Sequence, residues 1–222
     1  MNPHFGLYLI LTRPVAGYEE CALAAVRAGV AFVQLRCKSE PPEERRRIAR
    51  ALRAVTQGTS TRLIVNDELG LAMEIDADGV HLGQGDPPGL PAARAAWPSP
   101  GKIFGLSTHN RVQAEAAVQA AADYIGVGPV WATPTKPDGD PPLGPAEAGR
   151  IVRASPVPAV VIGGIHALNL PEVLEAGAVN FAVVRAVNDA PDPLEAIEEL
   201  ISVWRAYVRR EATKPSPTGV ST

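Results

Sequence analysis

The sequence predicts an α/β protein folded as a single-domain (β/α)8 TIM barrel, and three observations carry that expectation. Eight short runs rich in β-forming residues recur along the 222 residues, each followed by a segment that reads as helix, which is the alternation of a parallel sheet. No Gly-x-Gly-x-x-Gly follows the first run, so a closed barrel is favoured over an open dinucleotide-binding sheet. Nothing linker-like interrupts the alternation, and the length suits one barrel.

In chain order, the predicted strands are Leu7 to Leu11, Phe32 to Arg36, Leu63 to Asn66, Gly79 to Leu82, Ile103 to Ser107, Tyr124 to Val127, Ala159 to Ile162 and Phe181 to Val184. The first helix should stop at Gly29, a residue that accepts the left-handed conformation, after Ala22, Ala25 and Val26. A similar helix over Leu168 to Ala176 should stop at Gly177. The last helix has Asp192 to cap it, Pro193 for its first position and Glu195 where a capping-box acid belongs. Leu194, Ile197, Leu200, Ile201, Trp204 and Val208 then recur at helical spacing and mark its buried face. The barrel is expected over residues 1–211, and 212–222, low in hydrophobes and rich in Ser, Thr and Pro, reads as a disordered tail.

Composition narrows the function. Hydrophobic residues are 46% of the chain, yet no stretch reaches the ~18 apolar residues of a membrane span. The start, MNPHFGLYLILTRP, has neither a basic beginning nor a small-residue cleavage site, so it reads as a strand and the expected location is the cytoplasm. A net charge of −3 argues against a nucleic-acid partner. Glu43, Glu44, Arg45, Arg46 and Arg47 mix signs as a solvated helix face does. Cys21 and Cys37 lack the spacing of a zinc site and the number of a disulfide framework, and read as free thiols.

In a barrel, function is expected at the carboxyl ends of the strands, and polar residues collect there. Period-two alternation puts Gln34, Arg36 and Lys38 on one side of the second strand's exit and Cys37 on the other: if that side is the barrel interior and mouth, two cations and an amide converge on one anion, and otherwise it is a solvent-facing strand end with scattered charge. Asn66 and Asp67 end the third strand, and the fourth leads through His81 to Asp86. Carboxylates on adjacent strand ends suit Mg2+, which takes one or two of them together with phosphate oxygens. Alternatively, Asp67 caps the next helix and Asp86 initiates the turn before Pro87 and Pro88. His81 lies within a strand and reads as a packed, hydrogen-bonded histidine. Ser107 and His109 share parity, but no third residue completes a nucleophilic triad, so Ser107 reads as a hydrogen-bond donor.

The segment Gly126 to Asp138, GVGPVWATPTKPD, is too rich in Gly and Pro for a helix or a central strand. It is either a shaped ligand loop, with Thr133, Thr135 and Lys136 suited to phosphate, or an ordinary proline-rich surface loop. Gly163 and Gly164 after the seventh strand, with Val184 and Arg185 ending the eighth, offer main-chain donors for a phosphate cradle or simply serve a tight turn. Two anion sites follow, one cationic and metal-compatible on strands two to four, the other of neutral backbone donors. Two phosphorylated substrates, one needing Mg2+, explain that division.

QLRCK at Gln34 to Lys38, ND at Asn66 and Asp67, DGVHLGQGD at Asp78 to Asp86, GLSTH at Gly105 to His109, GPVWATPTKPD at Gly128 to Asp138 and IGGI at Ile162 to Ile165 together resemble the thiamine-phosphate synthase family, in the family's order, from Leu7 to about Val208. The resemblance implies a cytoplasmic transferase of thiamine biosynthesis. Such an enzyme joins 4-amino-2-methyl-5-hydroxymethylpyrimidine diphosphate to 4-methyl-5-(2-hydroxyethyl)thiazole phosphate, releasing pyrophosphate. Carried over by motif, Gln34, Arg36, Lys38, Asn66, Ser107 and Lys136 would bind the pyrimidine diphosphate, with Arg36, Lys38, Ser107 and Lys136 acting in catalysis. Asp67 and Asp86 would hold Mg2+, and Thr133, Pro134, Thr135, Gly164, Val184 and Arg185 would bind the thiazole phosphate. A homo-oligomer is compatible with this reading.

Three residues depart from the family pattern. Cys37 stands where Glu is usual, Arg13 where Asp is common, and Arg185 where Ser is common. Alternation turns Cys37 away from the cations, and Arg185 is tolerated if its amide makes the contact. Two other readings compete: the thiazole-tautomer isomerase that shares the barrel, and a non-catalytic barrel that binds thiamine phosphate. Asn66, Asp67, Asp86 and the Thr133 to Lys136 set oppose the isomerase, which has no diphosphate to bind.

Overall fold

A computed structural model describes residues 4–135 and 140–214. Eight strands, β1 (Leu7–Leu11), β2 (Phe32–Leu35), β3 (Arg62–Asn66), β4 (Gly79–Leu82), β5 (Ile103–Thr108), β6 (Tyr124–Val127), β7 (Ala159–Ile162) and β8 (Phe181–Val183), pair in parallel in sequence order, and β8 closes on β1. The predicted single-domain (β/α)8 barrel is the fold observed. Both faces of each strand are covered, so the strands read as nearly continuous apolar runs. Leu7, Leu9 and Leu11 of β1, with Val33 and Leu35 of β2, pack outward in the core between sheet and helices. Tyr8, Ile10, Phe32, Ile64, Tyr124, Val160 and Ala182 fill the barrel itself.

Nine helices are assigned among the described residues: α1 (Tyr18–Ala28), α2 (Pro42–Thr56), α3 (Leu69–Glu74), α4 (Leu90–Ala96), α5 (Arg111–Gln119), α6 (Gly144–Ala154), α7 (Leu170–Glu175), α8 (Arg185–Asn188) and α9 (Pro193–Ala212). Gly29 ends α1 at φ 73°, its N–H directed to the Ala25 and Val26 carbonyls. Asp192 Oδ1 accepts from the Leu194 and Glu195 amides at 2.9 and 3.0 Å, a cap worth about 1 kcal/mol. Ile197, Leu200 and Ile201 are buried on α9, as their spacing requires. Val208 is a correction: it is exposed, and Tyr207 takes the inward place. A 3.6-residue turn leaves i+3 and i+4 from Trp204 as alternatives, and the docking of α9 on α1 and α7 selects i+3. Leu168, expected in a helix, is exposed and precedes α7.

The four-residue α8 was not predicted, being too short to show a period. Buried Asn188 holds it in place: its Nδ2 donates to the Ile10 and Val184 carbonyls, both at 2.8 Å, and its Oδ1 accepts from the Thr12 amide at 2.8 Å. The end of β8 is thereby fixed against the end of β1. No helix among the described residues is long and apolar enough to cross a membrane.

Candidate active site

A cavity of about 610 Å3 is lined by residues at the carboxyl ends of the strands. Gln34, Arg36 and Lys38 all line it, whereas Cys37 is buried in the core behind the sheet, as alternation along β2 requires. Burial pushes the Cys37 thiol up to about 11.

Asn66 and Asp67 leave β3 toward the same space. Asp67 adopts the left-handed region at φ 62°, and its carboxylate meets Lys38 Nζ at 2.8 Å, while α3 begins after Glu68 with no side-chain cap. Burial and then the adjacent Asp86 carboxyl raise the Asp67 carboxyl above its usual range, against the pull of Lys38. Asp86 Oδ2 accepts from the Gly83 amide at 2.8 Å, so its turn-forming role and its place on the cavity wall coexist. Two neighbouring carboxylates whose charge repels are a fit donor set for a hard divalent cation, with Lys38 partly offsetting that repulsion. Among the described residues, no group of three or more His, Cys, Asp or Glu forms a larger metal cluster.

Ser107 also lines the cavity, and below it runs a buried polar chain. Its Oγ lies 3.0 Å from His81 Nε2, His81 Nδ1 lies 2.9 Å from the Tyr124 hydroxyl, and that hydroxyl lies 2.8 Å from the hydroxyl of Tyr8. Gln34 Nε2 donates to Tyr8 at 2.9 Å. His81 is packed and hydrogen-bonded as read, but one partner is a site residue. Burial lowers its imidazole to about 4 and lifts both tyrosines far above their usual range, so all three are neutral near pH 7. Tyr8 and Tyr124 were missed; their only sequence signal is a hydroxyl at an inward strand position.

On the opposite side, Thr133, Pro134 and Thr135 line the cavity from the loop after β6. Lys136 lies outside the described residues. The near part of this loop is tied to the end of β7, through Val130 N to Ile162 O at 2.8 Å and Trp131 N to Gly163 O at 3.1 Å. Gly163 and Gly164 have φ of 111° and 69°, and added Cβ atoms would sit 2.6 Å from Pro129 Cβ and 2.9 Å from Trp131 Cβ. Glycine is therefore required at both by conformation and by the passing loop. His109 braces the loop, its Nδ1 2.6 Å from the Gly128 carbonyl and its Nε2 3.2 Å from Asp140.

Gly164, Val184 and Arg185 complete this side of the wall. The Arg185 guanidinium pairs with Asp189 at 2.8 Å along α8. Arg13 is exposed at φ 48°, outside the residues that line the cavity, and its amide donates to the Tyr18 hydroxyl at 2.9 Å. All the predicted site residues that are described thus share one cavity.

Comparison with known proteins bears on the family and the fold. A family model described as thiamine monophosphate synthase matches residues 7–187. A thiamine-phosphate synthase from Roseiflexus sp. (strain RS-1) is 39% identical over 200 residues, spanning 89% of this chain and 84% of that protein. One from Archaeoglobus fulgidus is 40% identical over 190 residues, with 86% and 88% covered. The solved structure of a thiamine phosphate pyrophosphorylase from Pyrococcus furiosus superposes with a TM-score of 0.82 at 32% identity, covering 92% of this chain and 97% of that one. From these matches, with the barrel and its cavity, the chain belongs to the thiamine monophosphate synthase family.

Proposed function

We propose that this chain condenses 4-amino-2-methyl-5-hydroxymethylpyrimidine diphosphate with 4-methyl-5-(2-hydroxyethyl)thiazole phosphate, giving thiamine phosphate and pyrophosphate. The observation that carries this reading is the meeting, in one cavity, of Arg36, Lys38 and the Asp67–Asp86 pair with a glycine-rich main-chain wall. A carboxylate pair beside cations suits a metal-bound diphosphate and has no task in an isomerase.

Gln34, Arg36, Lys38, Asn66 and Ser107 bind the pyrimidine diphosphate, joined by Lys136. Thr133, Pro134 and Thr135 bind the thiazole phosphate together with Gly164, Val184 and Arg185, the last three through the main chain. Asp67 and Asp86 would hold Mg2+, which when bound supplies positive charge to the diphosphate oxygens. As the C–O bond to pyrophosphate breaks, Arg36, Lys38, Lys136 and the Ser107 hydroxyl face the charge that develops on the leaving group. The thiazole nitrogen, held in line from the opposite wall, captures the pyrimidine-methyl cation. No covalent nucleophile takes part. The substrates are small phosphate esters, and we place the enzyme in the cytoplasm.

Pyrophosphate release, followed with both substrates and with or without Mg2+, tests the proposal. Turnover that needs both substrates and the metal is expected. Tight binding of thiamine phosphate without turnover would instead mark a binding barrel.

A further inference from the structure

We infer that Tyr124 and His81 are a positioning pair that fixes the Ser107 hydroxyl as a hydrogen-bond donor into the cavity, toward the diphosphate. The inference rests on the reading above for the identity of the acceptor; the hydrogen-bond geometry stands by itself.

The direction of the chain follows from counting donors. Gln34 Nε2 can only donate, so the Tyr8 oxygen accepts, and the Tyr8 proton goes to the Tyr124 oxygen 2.8 Å away. The Tyr124 proton then goes to His81 Nδ1 at 2.9 Å. A neutral imidazole with Nδ1 accepting carries its proton on Nε2, which donates to Ser107 Oγ at 3.0 Å. Having accepted there, Ser107 turns its own proton to the cavity.

The opposite polarity fails at the far end. If Ser107 donated to His81, His81 would donate to Tyr124 and Tyr124 to Tyr8, leaving the Tyr8 proton facing the Gln34 N–H. That is a buried donor against a donor. The amide at position 34 thus selects the tautomer of a histidine two tyrosines away.

Two further contacts hold this geometry. Gln84 Nε2 donates to the Ser107 carbonyl at 2.6 Å, securing the main chain from which the hydroxyl projects. A Cβ at Gly105 would lie 2.2 Å from Tyr124 Cζ and 2.5 Å from His81 Nδ1, so the strand between them leaves room for the pair only as glycine. A hydroxyl already oriented as donor needs no reorganisation when charge builds on the leaving group.

The test has two arms on the full chain. In the first, imidazole nitrogen shifts of 15N-histidine-labelled protein, assigned through His81→Gln, are expected to show Nε2 protonated and Nδ1 bare. The reverse tautomer overturns the inference, with or without turnover. In the second, kcat is measured with both substrates and Mg2+ for His81→Leu, His81→Gln and Tyr124→Phe, each in the native and Ser107→Ala backgrounds. His81→Leu is expected to lower kcat about tenfold, the scale of one oriented hydrogen bond, with KM for the thiazole phosphate little changed. His81→Gln, which retains a terminal N–H for Ser107, should recover most of that loss, and Tyr124→Phe should fall between the two. All three losses should vanish when Ser107 is alanine. Equal losses in both backgrounds overturn the inference. Absence of turnover in the unaltered enzyme overturns the synthase reading instead.

Discussion

Across the cavity, the exits of β2 to β4 present side chains, and the exits of β7 and β8 present main chain. Lys38 is 54% exposed and already paired with Asp67 at 2.8 Å, so this wall must exchange partners when a ligand arrives. Gly163 and Gly164 are wedged against Pro129 and Trp131, so the other wall is set in advance. The contrast matches what each proposed substrate does. Negative charge grows on the departing pyrophosphate, and cations that follow it lower the barrel's reaction barrier. The thiazole phosphate keeps its charge throughout, so it needs only a fixed cradle, and uniform binding of that kind appears in KM rather than kcat.

The largest effects should come from the side-chain wall. Arg36→Ala and Asp67→Ala are each expected to reduce kcat by at least ~10²- to 10³-fold, the scale of losing one pre-placed electrostatic contact. Thiazole phosphate affinity, read by calorimetry, should stay within about threefold, since the cradle proposed for it is across the cavity. Full activity in either variant would sink the assignment of this wall. Withholding or chelating Mg2+ is expected to give the same split, with pyrophosphate release stopping and thiazole phosphate binding persisting.

A smaller effect of opposite kind is expected from Gly164→Ala. The new methyl meets Trp131 Cβ at 2.9 Å in a backbone held at φ 69°, and strain of that sort costs about 1–3 kcal/mol. We expect KM for the thiazole phosphate to rise about tenfold while kcat changes less, if that strain is relieved by moving the cradle. A fall in kcat alone would show that the two walls do not divide the work in this way.

The side-chain wall was legible because period two in a strand dictates facing. Gln34, Arg36 and Lys38 were placed together, and Cys37 apart, by parity alone. The glycine pair of the proposed cradle was visible in the sequence, but the reason for it was not: the demand for no side chain at position 164 comes from Trp131, brought in by the ladder between the loop and β7. Tyr8 and Tyr124 lie 116 positions apart and meet only because the barrel closes. Each reads as a core aromatic until its partner is known. Short α8 and the inward turn of Tyr207 escaped for a related reason, since their positions are settled by tertiary packing on β1, α1 and α7.

Arg185 supplies the smallest and sharpest test of the contrast, because among the described residues it is the arginine that lines the main-chain wall, beside Gly164 and Val184. Its guanidinium is engaged by Asp189 at 2.8 Å, both side chains being more than half exposed, and exposed pairs of this kind contribute 0 to about 1 kcal/mol. If the thiazole phosphate is held by amides alone, Arg185→Ser keeps the donor and removes only a charge already spoken for. KM should then change less than about threefold, kcat should be unaltered, and added salt should affect variant and parent alike. If KM rises tenfold or more and its salt dependence falls, Arg185 has left Asp189 for the phosphate. The second wall would then also work by side-chain charge, and the division between the walls would be one of degree.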